Sequence, residues 1–265
     1  MSLSISNIAW NTNLDESIAE LLNKHDVHCI DIAPGKYFNN LMKVETSEIL
    51  SVKHFWDMRR ISIIGMQSLF YGTKGFNVFG ETNADMLSYL DIICKTASIL
   101  GARFLTFGSP KNRDRTGLSD SETLDGALSF FYKAGKIAQN YDVLLCLEPN
   151  PKEYGANFLT TTKETYNFIK MLNHPNIKLQ LDVGALILNN ETNAVIDMSS
   201  DMIGHIHISE PQLRPVGTNQ AEHSLFSLTI KKLESNKTIE MLTTDAGNPL
   251  EVIEKSLIFA KRLYV

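Results

Sequence analysis

The feature that most constrains this chain is a rhythm. Short apolar runs alternate with longer amphipathic ones eight times over 265 residues, with no break in composition. The apolar runs fall at 5–10, 28–33, 61–67, 103–109, 143–148, 177–182, 204–209 and 237–242. Helical periodicity fills the intervals at 14–25, 47–60, 83–102, 119–140, 162–173, roughly 191–202, 222–234 and 248–264. In the first helical stretch Ile18, Leu21 and Leu22 recur at helical spacing. Asn83 is placed to cap the third, Ser119 and Glu122 form a capping-box pattern on the fourth, and Pro249 suits the first turn of the last. Strands that alternate with helices pair in parallel, because each return to the sheet needs a crossover. Eight such units match a closed (β/α)8 barrel of about 250 residues. An open doubly wound sheet is the competitor, but "NIAWNTN" after the first run lacks the G-x-G-x-x-G of a dinucleotide-binding unit. With no linker, low-complexity tract or short repeat, one α/β domain over 1–265 is expected.

Composition narrows the partners. Hydrophobic residues make up 43% of the chain, enough for a sizeable core, and the net charge is −5 with no long basic run. Nucleic-acid binding wants a clustered positive face, so no nucleic-acid partner is expected. No run of 18 apolar residues exists, so no membrane span is expected. The start, "MSLSISNIAW", lacks the basic and apolar regions of a signal peptide. Cys29, Cys94 and Cys146 are scattered in apolar contexts, which suits a reducing, cytoplasmic compartment.

The chemistry collects where charges end the late apolar runs. "LLCLEPNP" closes a buried-looking strand on Glu148 and then stops it with two prolines. A charge there is costly unless paired, solvated or bound to a metal. The next strands end on Asp182 in "LQLDVG", carry His207 in "HIHISEP" and carry Glu240 in "TIEML". The intervals are 34, 25 and 33 residues, about one strand–helix unit each. A single such carboxylate is more often a cap or an ion-pair partner, and a single histidine a hydrogen-bonded core residue. Four on consecutive strands, all at the end where barrels keep their sites, are hard to explain separately. Converging like charges repel, and a divalent cation removes the repulsion. Three carboxylates and an imidazole form a hard set suited to one Mn²⁺, Mg²⁺ or Co²⁺, with Zn²⁺ also admissible. Such an ion polarises a hydroxy-carbonyl substrate, and a carboxylate on each side can move a proton between adjacent carbons.

These motifs, "CLEPNP", "LQLDVG", "HIHISEP" and "TIEM", resemble the strand ends of the xylose isomerase-like TIM barrels, a superfamily of sugar isomerases, sugar 3-epimerases, hydroxypyruvate isomerase, inosose dehydratase and endonuclease IV. The sharp resemblance covers about residues 143 to 242. It implies that Glu148, Asp182, His207 and Glu240 are metal ligands and that Glu148 and Glu240 are also the acid/base pair. It implies an isomerase or epimerase acting on a small sugar or sugar phosphate. Two departures stand out. Epimerases of the family carry a His three residues after the strand-six Asp, where this chain has Ala185. Their arginine after the strand-seven His is met only by Arg214, one residue beyond the expected offset. The substrate pocket is therefore expected to differ from that of the free ketohexose 3-epimerases.

Other polar residues are weaker candidates for substrate contact. "GSPKNRDR" places Lys111 and Arg113 on the loop after strand four, where they can bind an anionic group or simply be solvated. Glu210 and His223 can face the mouth or serve as a cap and a helix residue. Asn7 and Gln67 are inward amides or barrel filling. Met66, Phe70, Tyr71 and Phe79 read as pocket wall or core. A dehydratase on the same site, an endonuclease IV-like nuclease and a carbohydrate-binding barrel are the alternatives. The nuclease needs three metal sites, which His25, His28, His54 and His174 do not supply. The oligomeric state stays open.

Overall fold

The apolar runs form eight parallel strands: β1 (Leu3–Ser6), β2 (Cys29–Ile32), β3 (Ser62–Met66), β4 (Phe104–Phe107), β5 (Leu144–Leu147), β6 (Ile177–Asp182), β7 (Ile203–Ser209) and β8 (Lys237–Glu240). They hydrogen-bond in chain order, and β8 pairs with β1 to close the barrel. This computed structural model describes residues 3–244 and 246–265, without the side chain of Ala221. The first two residues of the start read above as lacking a signal peptide lie outside that range.

Helices α1 (Asp15–Lys24), α2 (Thr46–Asp57), α3 (Asn83–Leu100), α4 (Asp120–Asn140) and α5 (Thr162–Leu172) each follow one strand. After β6 come two short helices, α6 (Val183–Leu188) and α7 (Asn193–Ser199), where one weak helix was expected. Helix α8 (Gln220–Lys231) follows β7 and α9 (Pro249–Tyr264) follows β8. Among the described residues no helix is long and apolar enough to cross a membrane.

Local chemistry sets the boundaries. The Ser119–Glu122 capping box forms at the start of α4, with the Ser119 amide donating to Glu122 at 2.9 Å. Asn83 is not a cap: it is the first residue of α3, behind Thr82, which makes no side-chain cap bond. Gly101 ends α3 at φ 88, the left-handed region a glycine adopts without cost. The first strand ends at Ser6 rather than running to residue 10, because the Ser6 hydroxyl accepts from the Ile8 amide and turns Asn7–Ala9 into a 3-10 turn. Strand β8 likewise stops at Glu240, two residues short of the expected end.

Side chains alternate along each strand. One set, including Ile5, Ile30, Leu105, Leu147, Leu181, Ile206, Ile208 and Ile239, is fully buried in the apolar core with the helices. The other set carries polar groups that bond across the barrel interior. Thr106 donates to Gln180 at 3.1 Å, and His205 bonds both Asp31 (2.7 Å) and Thr238 (3.0 Å). The ring of Phe104 stacks on His205 at 4.9 Å. This barrel is filled by hydrogen-bonded polar side chains as well as by hydrocarbon.

Candidate metal centre

The register brings the charged strand ends together. Asp182 lies opposite His207 across β6 and β7, and Ser209 lies opposite Glu240 across β7 and β8. Glu148 follows β5, its amide bonded to the Phe107 carbonyl at 3.1 Å, so the backbone pairing extends one residue past the strand. Glu148, Asp182, His207 and Glu240 each offer a ligand atom within 4.8 Å of the others. All four are buried. His207 Nδ1 stands 3.1 Å from Glu148 Oε1 and 3.3 Å from Glu240 Oε2, so both glutamates converge on one ring nitrogen.

The electrostatics fit a cation. Burial, then the neighbouring charges of Glu148 and Glu240, push the Asp182 carboxyl up to about 7. His207 is buried, which alone would favour the neutral ring, yet the Glu240 and Glu148 carboxylates hold its pKa well above the ordinary value. Burial likewise opposes ionisation of Glu240, but His207 and the Gln67 amide keep its pKa below the usual carboxylate value. A set with three carboxylates and one imidazole carries surplus negative charge, and a divalent ion with oxygen and nitrogen ligands meets that demand.

Each member is held by neighbours. Asp182 accepts from the Ala185 amide at 2.6 Å and from Ser209 at 2.5 Å, so it caps α6 while facing the cluster. The Ser209 hydroxyl in turn accepts from the Gly184 amide at 2.9 Å. Gln67 donates to Glu240 at 2.5 Å. Gly108 leaves space for Glu148: a methyl there would stand 2.0 Å from Glu148 Oε2. The two prolines flank Asn150, whose amide donates to the Leu159 carbonyl and whose side-chain oxygen accepts from Arg113.

Two cavities flank the cluster, and Glu148 and Glu240 line both. One of about 610 Å³ lies toward β3 and β4, with Gln67, Phe70, Tyr71, Thr106, Gly108 and Lys111 in its wall. The other, about 420 Å³, lies toward β6 and β7, with Tyr154, Asp182, Ala185, Ser209, Glu210 and Leu213. Both volumes are in the range of small-molecule sites.

The remaining candidates divide. Gln67 and Lys111 line the larger cavity. Arg113 lines neither: it is fully buried, with its guanidinium donating to the Glu148 carbonyl and to Asn150, both at 2.6 Å. Burial lowers its pKa to about 10, against the pull of Glu148 and Glu164. It braces the loop that presents Glu148. Glu210 borders the smaller cavity, but its oxygens accept from Gly217 (2.8 Å), Asn219 (3.0 Å) and Thr218, so it ties down the loop after β7. His223, on α8, is fully buried and lines neither cavity: Nδ1 bonds Tyr264 on α9 at 2.6 Å, and Nε2 faces Glu210 Oε1 at 3.4 Å. Arg214 is exposed, with Nε on the Pro211 carbonyl at 3.3 Å. Asn7 is buried just past β1 and accepts from the Ala33 amide at 2.8 Å. Of the apolar residues, Phe70 and Tyr71 line the larger cavity, Met66 is core, and Phe79 packs on Phe158 at 5.4 Å.

Asp31, Gly108 and Ser209 also belong to the site, and none stands among the candidates named from the sequence. Ser209 had a signal: in "HIHIS" the alternation puts 205, 207 and 209 on one face. Asp31 had one too, an isolated charge inside "CIDIA".

Comparisons with known proteins extend this geometry. A family model described as xylose isomerase-like TIM barrel matches residues 19–259. No curated protein matches the sequence. The fold is similar to that of D-psicose 3-epimerase from Clostridium cellulolyticum H10, at a TM-score of 0.83 and 14% identity, covering 100% of this chain and 99% of that one. It is similar to 3-keto-D-glucoside 4-epimerase from E. coli, at 0.78 and 12%, covering 99% of each. It is also similar to an AP endonuclease of family 2 from Brucella melitensis, at 0.74 and 13%, covering 100% of each. At these identities the likeness shows a shared barrel, while the sequence model spans most of the chain. The chain belongs to the xylose isomerase-like TIM barrels.

Proposed function

We propose that the protein is a divalent-metal-dependent epimerase or isomerase that moves a proton at the carbon beside a carbonyl in a sugar or sugar phosphate. The observation that carries this reading is the shared position of Glu148 and Glu240. They come from β5 and β8, meet at His207, and line both cavities. A substrate seated on the cluster would lie beside both carboxylates, which each offer an oxygen within 4.8 Å of the other. A bound ion would polarise the carbonyl and acidify the neighbouring C–H. One glutamate then removes that proton and the other returns one, to the opposite face for epimerisation or to the adjacent carbon for isomerisation. Gln67 orients Glu240, and Arg113 fixes the backbone that carries Glu148.

The donor set favours Mn²⁺, Mg²⁺ or Co²⁺. Solved epimerases of sugars share the fold, which supports a sugar substrate. Lys111 supplies a cation in the larger cavity and supports a phosphate or carboxylate on the substrate. The buried, unbridged thiols of Cys94 and Cys146 suit a cytoplasmic setting.

The test is solvent exchange. The protein, loaded with Mn²⁺ and incubated in D₂O with a panel of ketohexoses, ketopentoses and their phosphates, is expected to incorporate deuterium beside the carbonyl of at least one sugar. Sugar binding without incorporation across the panel would leave a carbohydrate-binding barrel instead.

A further inference from the structure

Below the four strand-end groups, the barrel interior holds a second polar cluster to which nothing above gives a role. Asp31 on β2 and His205 on β7 are buried, and His205 Nε2 bonds Asp31 Oδ2 at 2.7 Å. Thr238 bonds the same ring nitrogen at 3.0 Å, and Ser4 bonds Thr238. His207 lies above, with Nδ1 toward Glu148 and Glu240 and Nε2 toward Asp31 Oδ2 at 4.0 Å. Both His207 Nε2 and Asp31 Oδ1 are buried without a hydrogen-bond partner.

We infer that Asp31 is the positioning residue for His207, accepting from its Nε2–H and so leaving Nδ1 bare toward the metal centre. This rests on the metal reading above. An imidazole that ligates through one nitrogen carries its proton on the other, and that N–H needs an acceptor. Asp31 is the carboxylate on that side: its Oδ2, already bonded to His205, stands 4.0 Å from His207 Nε2, and its Oδ1 and that nitrogen are both buried without a partner. The gap to Oδ2 is about 1 Å longer than a hydrogen bond and closes with a small movement of the His207 ring or the Asp31 carboxylate.

The fold keeps the carboxylate at this height. Asp31 pairs with Gly65 across β2 and β3, and a methyl at Gly65 would stand 2.5 Å from the Asp31 carboxyl carbon. The register shifts between Ile30 and Asp31 at that point. A bare glycine and a shift in pairing give an inward charge the room it occupies. Asp31, His205 and His207 are also close enough to suggest a second ion. The 2.7 Å between Asp31 and His205 is a hydrogen-bond distance, whereas ligands of one ion at about 2.1 Å stand about 3 Å or more apart.

The experiment measures the metal, not turnover. Protein stripped by chelation is titrated with Mn²⁺, and free Mn²⁺ is followed by electron paramagnetic resonance. The unmutated protein is expected to bind one ion, and Asp31→Asn, which keeps an oxygen able to accept from His205, to bind it 10–100-fold more weakly while its metal-free circular dichroism spectrum stays that of the unmutated protein. In the unmutated protein loaded with Zn²⁺ and labelled with ¹⁵N-histidine, His207 is expected to carry a solvent-protected proton on Nε2. That measurement holds even where the variant fails to fold. Equal Mn²⁺ affinity in the variant, a bare Nε2, or two ions bound per chain would overturn the proposal and leave the metal reading standing. No Mn²⁺ binding by the unmutated protein would overturn both.

Discussion

The two halves of the barrel mouth supply different things. From β5 to β8, successive strand ends present Glu148, Asp182, His207 and Glu240, each able to hold a cation. The ends of β3 and β4 present space and support instead. Gly108 leaves the volume that Glu148 fills, Gln67 donates to Glu240, Lys111 lines the larger cavity, and Arg113 grips the Glu148 carbonyl. One half carries the candidate metal ligands, and the other helps to set where Glu148 and Glu240 stand. A charge at a strand end is therefore only half of a site.

The largest effect should come from the half that carries the four candidate ligands. Glu240→Gln and Glu148→Gln keep shape and an oxygen donor but remove a base, so each is expected to fold and to lose deuterium incorporation by on the order of 10²–10⁴-fold. Exchange at the unmutated rate in a metal-loaded variant would reduce that residue to a ligand and break the two-base mechanism.

A single methyl in the supporting half should come next. In Gly108→Ala the new carbon overlaps the Glu148 carboxylate, which must swing away. Mn²⁺ affinity is expected to fall about 10–100-fold, with a stability cost of about 1–3 kcal/mol. Titration calorimetry and thermal unfolding check the two separately, and undiminished affinity would mean that Glu148 does not need the position seen here.

Smaller again is Lys111→Ala. It should raise KM for a phosphorylated substrate about tenfold, the scale of one charged hydrogen bond, and leave an uncharged sugar nearly unaffected. Equal changes for both would return Lys111 to the solvated surface.

Much of this was legible beforehand, for identifiable reasons. The eight-unit rhythm and the four strand-end candidates announce themselves because burial makes apolar runs continuous and leaves a charge conspicuous. Arg113 shows the limit. On a loop between Lys111 and Arg115 it reads as a surface cation, yet it is fully buried on a carbonyl from a neighbouring strand. His223 fails for the same reason, since its partner Tyr264 is 41 residues away. Gly108 carries no side chain to notice; its meaning is the atom it lacks. Such roles depend on pairings between distant segments, which local pattern does not encode.

The smallest expected effect lies beside the site. Glu210 is buried, which alone would raise its pKa, but bonds from His223, Thr218 and the Asn219 and Gly217 amides bring it down to about 2 from an ordinary 4.5. A carboxylate held below its unfolded value stabilises the fold above that value and loses the contribution as pH falls toward its folded pKa. The unmutated protein should therefore lose stability between about pH 4.5 and pH 2 through this group, and Glu210→Gln should flatten that stretch of the melting-temperature profile. Parallel profiles would show that the loop after β7 does not depend on the charge.

The most direct test of the central claim is anomalous diffraction from crystals of the Mn²⁺-loaded protein. The account predicts one anomalous peak between Glu148, Asp182, His207 Nδ1 and Glu240, with ligand distances of roughly 2.0–2.4 Å. A peak elsewhere on the barrel, or full occupancy of a site that excludes two or more of these four side chains, would contradict it.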